Sequence, residues 1–145
     1  MSEERIVAVD ASSDLMPAAY AVRHQVFVVE QAVPPELERD ALDDVAIHLL
    51  ALRGTDVIGT LRIVVSGSGA KIGRMAVLAT ERKAGVGTRL MEHAIEVART
   101  MNVKEFTLHA QLTAKEFYAK LGYCEEGDIF EEAGIAHVSM RKVIG

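Results

Sequence analysis

The sequence predicts a single α+β domain over residues 1–145, in which helices pack on a mixed, mostly antiparallel sheet of about seven strands. Apolar segments joined by short glycine turns occupy the middle of the chain, as in consecutive hairpins. The second half alternates amphipathic helical patterns with short strands, as in helix-linked crossovers. Half of the residues are hydrophobic, as expected for one packed core. The predicted element order is β-α-α-β-β-β-α-β-α-β-β.

A short strand and two helices are predicted at the start of the chain. Residues Ile6–Val9 fit a strand, and apolar side chains recur at helical spacing between residues 14 and 30. Val26–Val29 also fits a strand, so this helix could end early. Pro34 and Pro35 stop the helix because proline has no N–H to donate, and they begin a loop or a short helical turn.

Three strands follow, joined by turns. Residues 46–52 and 57–65 are apolar and rich in branched side chains, and the turn at 54–56 joins them into a hairpin. A second turn at 66–69 leads into a strand at 71–78.

The longest predicted helix spans Gly85–Met101 and has one apolar face. A strand at Glu105–Ala110 follows it, and Thr113–Glu116 matches a capping box that would begin the last helix. Gly122 stands where a helix C-terminal glycine belongs. The last strands are predicted at residues 123–126 and 135–142.

The composition argues against several classes of function. A net charge of -5 provides no basic footprint, so we expect no nucleic-acid partner. The chain has no apolar run long enough to span a bilayer and no secretory signal at its N-terminus, so we expect no membrane association. The single cysteine, Cys124, excludes an internal disulfide, which fits a cytoplasmic location. No metal-ligand spacing such as His-x-x-x-His occurs, so we expect no metal.

The segment 82–88, hereafter the glycine loop, gives the first indication of function. It follows an apolar strand pattern and opens the longest predicted helix. The N–H groups of a helix N-terminus lack partners there, and the helix dipole attracts an anion such as a phosphate. Alone, the loop could be only a strand-to-helix turn. A dinucleotide fingerprint is excluded, because Leu90 occupies the place of its third glycine.

A second motif follows the next predicted strand and reads Ala114-x-x-Phe117-Tyr118-x-x-Leu121-Gly122-Tyr123. Together with the glycine loop it resembles the GNAT superfamily of N-acetyltransferases. The resemblance covers nearly the whole chain in element order and is most specific over residues 71–123. Residues 26–31, 108–111 and 133–137 resemble the ElaA-like branch.

The resemblance implies transfer of an acetyl group from acetyl-coenzyme A to a primary amine of a small molecule or peptide, by direct attack in a ternary complex. It places the pyrophosphate on the backbone amides of the glycine loop and the pantetheine arm along the main chain of residues 75–77. An N–H of Ala76 or Val77 would donate to the thioester oxygen. Gln111 stands where many members have asparagine. The residues implied to bind the cosubstrate are Met75, Ala76, Val77, Arg82, Lys83, Ala84, Gly85, Val86, Gly87, Thr88, Gln111 and Phe117.

Tyr118 is the candidate general acid, since a phenol is protonated at neutral pH and can donate to the departing thiolate. It could also be a core residue, because it shares a helical stripe with Phe117. The general base remains open at this point among Glu30, His48, His109 and His137, with Glu30 and His109 preferred. Each histidine could instead be a buried structural residue.

Several alternatives remain from the sequence. The chain could be a coenzyme A-binding module without chemistry, or an acyltransferase that resembles acyl-homoserine-lactone synthases through Arg23, Phe27, Arg62 and Asp43 or Asp44. Charged residues between positions 36 and 44 are expected to form a solvated acidic loop. Many members of the superfamily form dimers, so a homodimer is a further expectation.

Overall fold

The computed structural model describes residues 4–145, which fold into a seven-stranded sheet with helices on both faces. The strands are β1 (Glu4–Val9), β2 (Ile47–Arg53), β3 (Asp56–Ser66), β4 (Gly69–Val77), β5 (Glu105–Gln111), β6 (Cys124–Glu132) and β7 (Ile135–Val143). The α-helices are α1 (Met16–Arg23), α2 (Pro35–Glu38), α3 (Val86–Arg99) and α4 (Lys115–Lys120). A π-helical segment, His24–Glu30, continues α1, and short 3₁₀ turns lie at Ala41–Asp44, Ala79–Glu81 and Leu112–Ala114.

The strand order across the sheet is β1-β2-β3-β4-β5-β7-β6. Within residues 4–145, β4 and β5 form the one parallel pair, and the other neighbouring strands are antiparallel. The predicted α+β fold, its mixed sheet and its order of α-helices and strands are therefore confirmed. Among the helices of this part of the chain, none combines the length and the apolar character that crossing a membrane requires.

Two apolar cores lie on opposite faces of the sheet. On one face, Met16, Ala19, Val22 and Val26 form a stripe that packs on β2, β3 and β4. This spacing continues from α1 into the π-helical segment, so the chain from residue 16 to 30 stays helical where an early end was considered. On the other face, α3 packs on the sheet through its buried side chains Val86, Leu90, Met91, Ala94 and Ala98.

A bulge in β4 changes the direction of its side chains. Thr60 pairs with Ala76 and Arg62 with Gly73, so two residues of β4, Arg74 and Met75, stand opposite one residue of β3. Arg74 adopts a left-handed conformation with φ of 52°. Such extra residues bend a strand and increase its twist.

The bulge coincides with a split in the sheet. Strands β4 and β5 pair only from Gly69 to Lys71 of β4 and from Glu105 to Thr107 of β5. Beyond these residues the two strands diverge, and no strand of the described part of the chain, residues 4–145, pairs with the C-terminal part of β4 on that side. Backbone groups on such an edge are available to another molecule.

The last helix differs from its sequence prediction. The predicted capping box at Thr113–Glu116 is wrong, because a 3₁₀ turn precedes α4 and its N-cap residue, Ala114, has no side-chain cap. Gly122 does end the helix as predicted, with φ of 96° and with the N–H of Tyr123 donating to the carbonyl oxygen of Tyr118. Strand β6 is longer than predicted and forms a hairpin with β7.

Candidate active site

The divergence of β4 and β5 opens a cleft of about 920 Å³. Its walls come from both strands, the glycine loop, α4, the segment between residues 26 and 42, and the β6–β7 turn. A volume of this size is typical of ligand-binding clefts. Most predicted site residues line it: Met75, Ala76, Val77, Arg82, Lys83, Gly85, Val86, Gly87, Thr88, His109, Gln111, Phe117 and Tyr118.

One end of the cleft is the N-terminus of α3. Gly85 is its N-cap residue and has φ of 82°, a conformation that glycine adopts without strain. No side chain among residues 4–145 caps this helix, and its first turn has no acidic residue. The first backbone bond into the helix runs from the N–H of Arg89 to Gly85, so the N–H groups of residues 86–88 lack acceptors within the helix. This end of the cleft therefore has the donors and the dipole that an anion requires.

Arg82 and Glu30 form an ion pair. Both terminal nitrogens of Arg82 donate to the Glu30 carboxylate at 2.9 Å, and Arg82 Nε donates to the Val77 carbonyl at 2.9 Å. Glu30 is not among the residues that line the cleft. Because its carboxylate is held by a guanidinium beside the cleft, the structure disfavours the predicted role of Glu30 as a general base. The ion pair instead ties the glycine loop to the end of the π-helical segment.

Tyr118 also lines the cleft. Its ring packs edge-on against Phe117 and Tyr123, with ring centroids 5.0 and 6.2 Å away. Its hydroxyl has no hydrogen-bond partner among residues 4–145. Burial raises the pKa of Tyr118 to about 12, so the hydroxyl keeps its proton at neutral pH. The side chain is thus part of the core packing, and it also lines the cleft as a protonated phenol.

Gln111 bridges the cleft. Its amide nitrogen donates to the side-chain oxygen of Gln31 at 2.8 Å, which joins β5 to the residue that follows the π-helical segment. The side-chain nitrogen of Gln111, a residue predicted to contact pantetheine, therefore already has a protein partner. Sequence reasoning did not identify Gln31 as part of the site.

Two histidines and a glutamate, His109, His137 and Glu132, form a cluster that lines the cleft. His109 Nδ1 lies 2.9 Å from one carboxylate oxygen of Glu132, and His137 Nε2 lies 3.8 Å from the other. His137 Nδ1 is 2.7 Å from the carbonyl oxygen of Ile135. Phe130 packs against both rings, at centroid distances of 4.9 and 5.9 Å.

The Glu132 carboxylate is ionised at neutral pH. Burial raises its pKa, but the hydrogen bond from His109 and the charges of His109, His137 and Lys71 outweigh burial and leave the pKa below its usual value. Among residues 4–145, no group of three or more His, Cys, Asp or Glu side chains is placed to hold a metal ion.

The fourth candidate base, His48, lies elsewhere. It is fully buried, with 1% of its surface exposed, and its Nε2 is 2.9 Å from the backbone oxygen of Asp43. It does not line the cleft. We therefore interpret His48 as a buried structural residue and not as a general base.

The expected solvated acidic loop is wrong for its central residues, because Glu38 and Asp43 are buried beside Arg23. Arg23 donates to Glu38 at 2.7 Å and to both oxygens of Asp43 at 2.7 and 3.1 Å. Arg62 adds bonds to Asp43 at 3.0 Å and to Asp40 at 2.6 Å. Burial raises the pKa of Asp43, but its hydrogen bonds and the neighbouring guanidiniums hold that pKa well below its usual value.

Arg74 connects this ion network to the bulge in β4. Its side chain donates to the backbone oxygens of Glu38 at 2.8 Å and of Leu37 at 3.2 Å. These bonds hold α2 over the cleft and compensate for the left-handed backbone at Arg74. This network thus explains the presence of three residues on which the resemblance to acyl-homoserine-lactone synthases depended, namely Arg23, Arg62 and Asp43.

The sequence matches known proteins over nearly its full length. The model of the acetyltransferase (GNAT) domain family matches residues 3–144. The uncharacterized N-acetyltransferase YjcF of Bacillus subtilis is 37% identical over 126 residues, which cover 86% of this chain and 89% of the relative. Protein ElaA of Escherichia coli is 30% identical over 132 residues, which cover 88% of this chain and 86% of ElaA.

Solved structures have the same fold. The crystal structure of Escherichia coli ElaA superimposes with a TM-score of 0.85 at 27% identity and covers 97% of this chain and 99% of that one. An acyl-CoA N-acyltransferase from Pseudomonas aeruginosa superimposes with a TM-score of 0.87 at 29% identity, covering 97% of this chain and 100% of the other.

Proposed function

We propose that this chain, which belongs to the GNAT family of acetyltransferases and resembles ElaA, transfers an acetyl group from acetyl-coenzyme A to a primary amine. The observation that carries the proposal is the combination of three groups along one cleft. An uncapped helix N-terminus, a free strand edge and a protonated tyrosine line the same opening. These are the groups that would hold a pyrophosphate, bind an amide-bearing arm and protonate a thiolate.

The residues present fit acetyl-coenzyme A. The backbone N–H groups of residues 86–88 would bind its pyrophosphate, with Lys83 adding positive charge at the loop. The edge of β4 over Met75–Val77, which β5 does not pair with, would hydrogen-bond the amides of the pantetheine arm as an added strand does, beside the bond that the Val77 carbonyl already accepts from Arg82. When bound, the cosubstrate supplies an activated acetyl group on sulfur.

Two residues of the cleft, His109 and Tyr118, then carry out separate proton transfers. His109 removes a proton from the ammonium form of the acceptor, so that the nitrogen lone pair can attack the thioester carbon. An N–H of Ala76 or Val77 stabilises the charge that develops on the carbonyl oxygen. As the carbon–sulfur bond breaks, Tyr118 donates its proton to the sulfur, and the nitrogen loses its second proton to solvent to give the neutral amide. His109 returns its proton to solvent, and Tyr118 is reprotonated from solvent.

A coenzyme A-binding module without chemistry is the competing function, and one experiment separates the two. The purified protein is incubated with acetyl-coenzyme A and a panel of small amines and peptides, and thiol release is measured beside a thermal melt. Acetyl-coenzyme A at a hundredfold excess over Kd stabilises the folded state by about 2.7 kcal/mol and raises Tm by several degrees.

The proposal expects this shift together with thiol release that depends on the amine. A shift without release for any acceptor favours the binding module. No shift at all contradicts both functions, because both require the cosubstrate to bind in the cleft.

A further inference from the structure

We propose that Glu132 is the positioning residue of the general base, holding His109 in the tautomer and orientation that the acyl transfer requires. This inference rests on the proposed function of the same cleft. The sequence gives no sign of it, because Glu132 lies 23 positions beyond His109. The hairpin of β6 and β7 brings the two side chains together.

The register of the strands places the cluster on one face of the sheet. His109 is on β5 opposite Ser139 of β7, while Glu132 ends β6 and pairs with Ile135 across the hairpin turn. Both His109 and Glu132 line the cleft. His109 lies on β5 and Glu132 on β6, across the split in the sheet from the edge of β4.

The hydrogen bond determines which ring nitrogen carries the proton. An ionised carboxylate only accepts hydrogen bonds, so His109 Nδ1, at 2.9 Å from Glu132, must carry a hydrogen. In the neutral ring the other nitrogen, Nε2, is then the unprotonated one, and it has no partner among residues 4–145. This leaves a base with a free lone pair in a ligand-sized cleft.

His137 lies on the other side of the glutamate. Its Nδ1 faces the Ile135 carbonyl at 2.7 Å, so that nitrogen carries a hydrogen, and its Nε2 faces the second carboxylate oxygen at 3.8 Å. A distance of 3.8 Å is too long for a hydrogen bond, so the contact with His109 at 2.9 Å is the one that fixes the pairing of the carboxylate. The Phe130 ring stacks on the His137 ring beside this pair.

The Glu132 carboxylate also stabilises the product of proton removal. When His109 takes the proton from the acceptor, the new N–H bond forms at Nε2 and the ring becomes a cation. The Glu132 carboxylate, 2.9 Å from Nδ1, stabilises that cation. Removing the carboxylate takes this stabilisation away, so it should slow proton removal without changing how acetyl-coenzyme A binds.

The test is a double-mutant cycle in the full chain, using an acceptor amine found in the panel. Glu132→Ala should lower kcat about ten- to hundredfold, which is less than the roughly 10²–10⁴-fold that the general base itself contributes, with the KM for acetyl-coenzyme A unchanged. In a His109→Gln background the same change should alter kcat less than about twofold, because residues acting as one unit are not additive. The matched control is Glu131→Gln, an exposed neighbour on the same strand, which should leave kcat unchanged.

Contrary outcomes are distinct from failure of the proposed function. If the wild type releases thiol with an amine but Glu132→Ala keeps its kcat, or if the two substitutions multiply, Glu132 does not act through His109. A rise in the KM for the amine with kcat unchanged would assign Glu132 to substrate binding instead. If the wild type acts on no amine, the proposed function itself fails.

A spectroscopic measurement tests the geometry independently of activity. The ¹⁵N chemical shifts of His109 under conditions where its ring is neutral should report a hydrogen on Nδ1 in the wild type, and less of that tautomer in Glu132→Ala. A wild-type ring with its hydrogen on Nε2 would overturn the inference.

Discussion

Replacing Tyr118 by phenylalanine should separate chemistry from binding, because the change removes one oxygen and keeps the ring. The ring contacts with Phe117 and Tyr123 at 5.0 and 6.2 Å are retained. The hydroxyl has no hydrogen-bond partner in residues 4–145, so no protein bond is lost. We therefore expect the free energy of unfolding to change by less than about 1 kcal/mol, the net contribution of a typical hydrogen bond.

The rate should respond very differently. General acid catalysis contributes at least about a hundredfold, which corresponds to about 2.7 kcal/mol of the activation barrier. We expect kcat for thiol release to fall by this factor or more in Tyr118→Phe, while the Kd for acetyl-coenzyme A stays within about twofold. Steady-state kinetics and calorimetric titration measure the two quantities.

Tyr123→Phe is the matched control. The Tyr123 hydroxyl likewise has no hydrogen-bond partner among residues 4–145, but it is fully buried and does not line the cleft. Its removal should leave kcat unchanged and should stabilise the fold by up to about 1 kcal/mol, because an unsatisfied buried group is lost. Equal losses of kcat in both variants, or full activity in Tyr118→Phe, would refute the assignment of Tyr118.

The raised pKa of Tyr118 adds a constraint on the pH profile. The protonated phenol is the active form, so its contribution disappears only as pH rises through a pKa of about 12. The ratio of wild-type to Tyr118→Phe activity should therefore stay constant from pH 7 to about pH 10. A ratio that falls along a limb centred near pH 10 would show that the hydroxyl titrates as if it were exposed.

Two further predictions concern the framework of the cleft. Asp43→Ala should destabilise the protein by about 3–5 kcal/mol at pH 7 in urea titrations, because it leaves the buried Arg23 undercompensated, whereas Asp44→Ala should change little. Because folding lowers the pKa of Asp43, its stabilisation is fully present above the unfolded pKa of about 3.9, and it declines below that pH until the folded carboxylate is protonated as well. The Asp43→Ala difference should therefore be smaller at pH 2 than at pH 7, and an equal difference at the two pH values would contradict the ion network. Gly85→Ala should cost about 1–2 kcal/mol from its φ of 82° and weaken acetyl-coenzyme A binding, whereas Gly69→Ala, with ordinary contacts around an added Cβ, should leave binding unchanged.

The fold was predictable because its signals are local. Apolar periodicity, glycine turns and the prolines at 34 and 35 each act within a few residues, and they gave the element order that the structure shows. The glycine loop was predictable for the same reason, since strand, loop and helix N-terminus are contiguous. Tyr118 was found through a short helical motif, and the structure places it in the cleft.

Features that depend on distant pairs were not predictable. The charged residues near position 40 were predicted to form a solvated loop, because their partners Arg23 and Arg74 lie 15 to 36 positions away in sequence. The bulge at Arg74 also left no sequence signal, since an arginine in a left-handed conformation breaks the usual preference for glycine. Glu30 looked like a base only while its ion pair with Arg82, 52 positions away, was unknown.

The central claim is that the split between β4 and β5 binds an acyl-coenzyme A thioester. A crystal structure with acetyl-coenzyme A tests it most directly. We expect the pyrophosphate within hydrogen-bond distance of the N–H groups of residues 86–88, the pantetheine arm along Met75–Val77, and the sulfur within reach of the Tyr118 hydroxyl. A cosubstrate bound outside this cleft, or with its sulfur remote from Tyr118, would contradict the account.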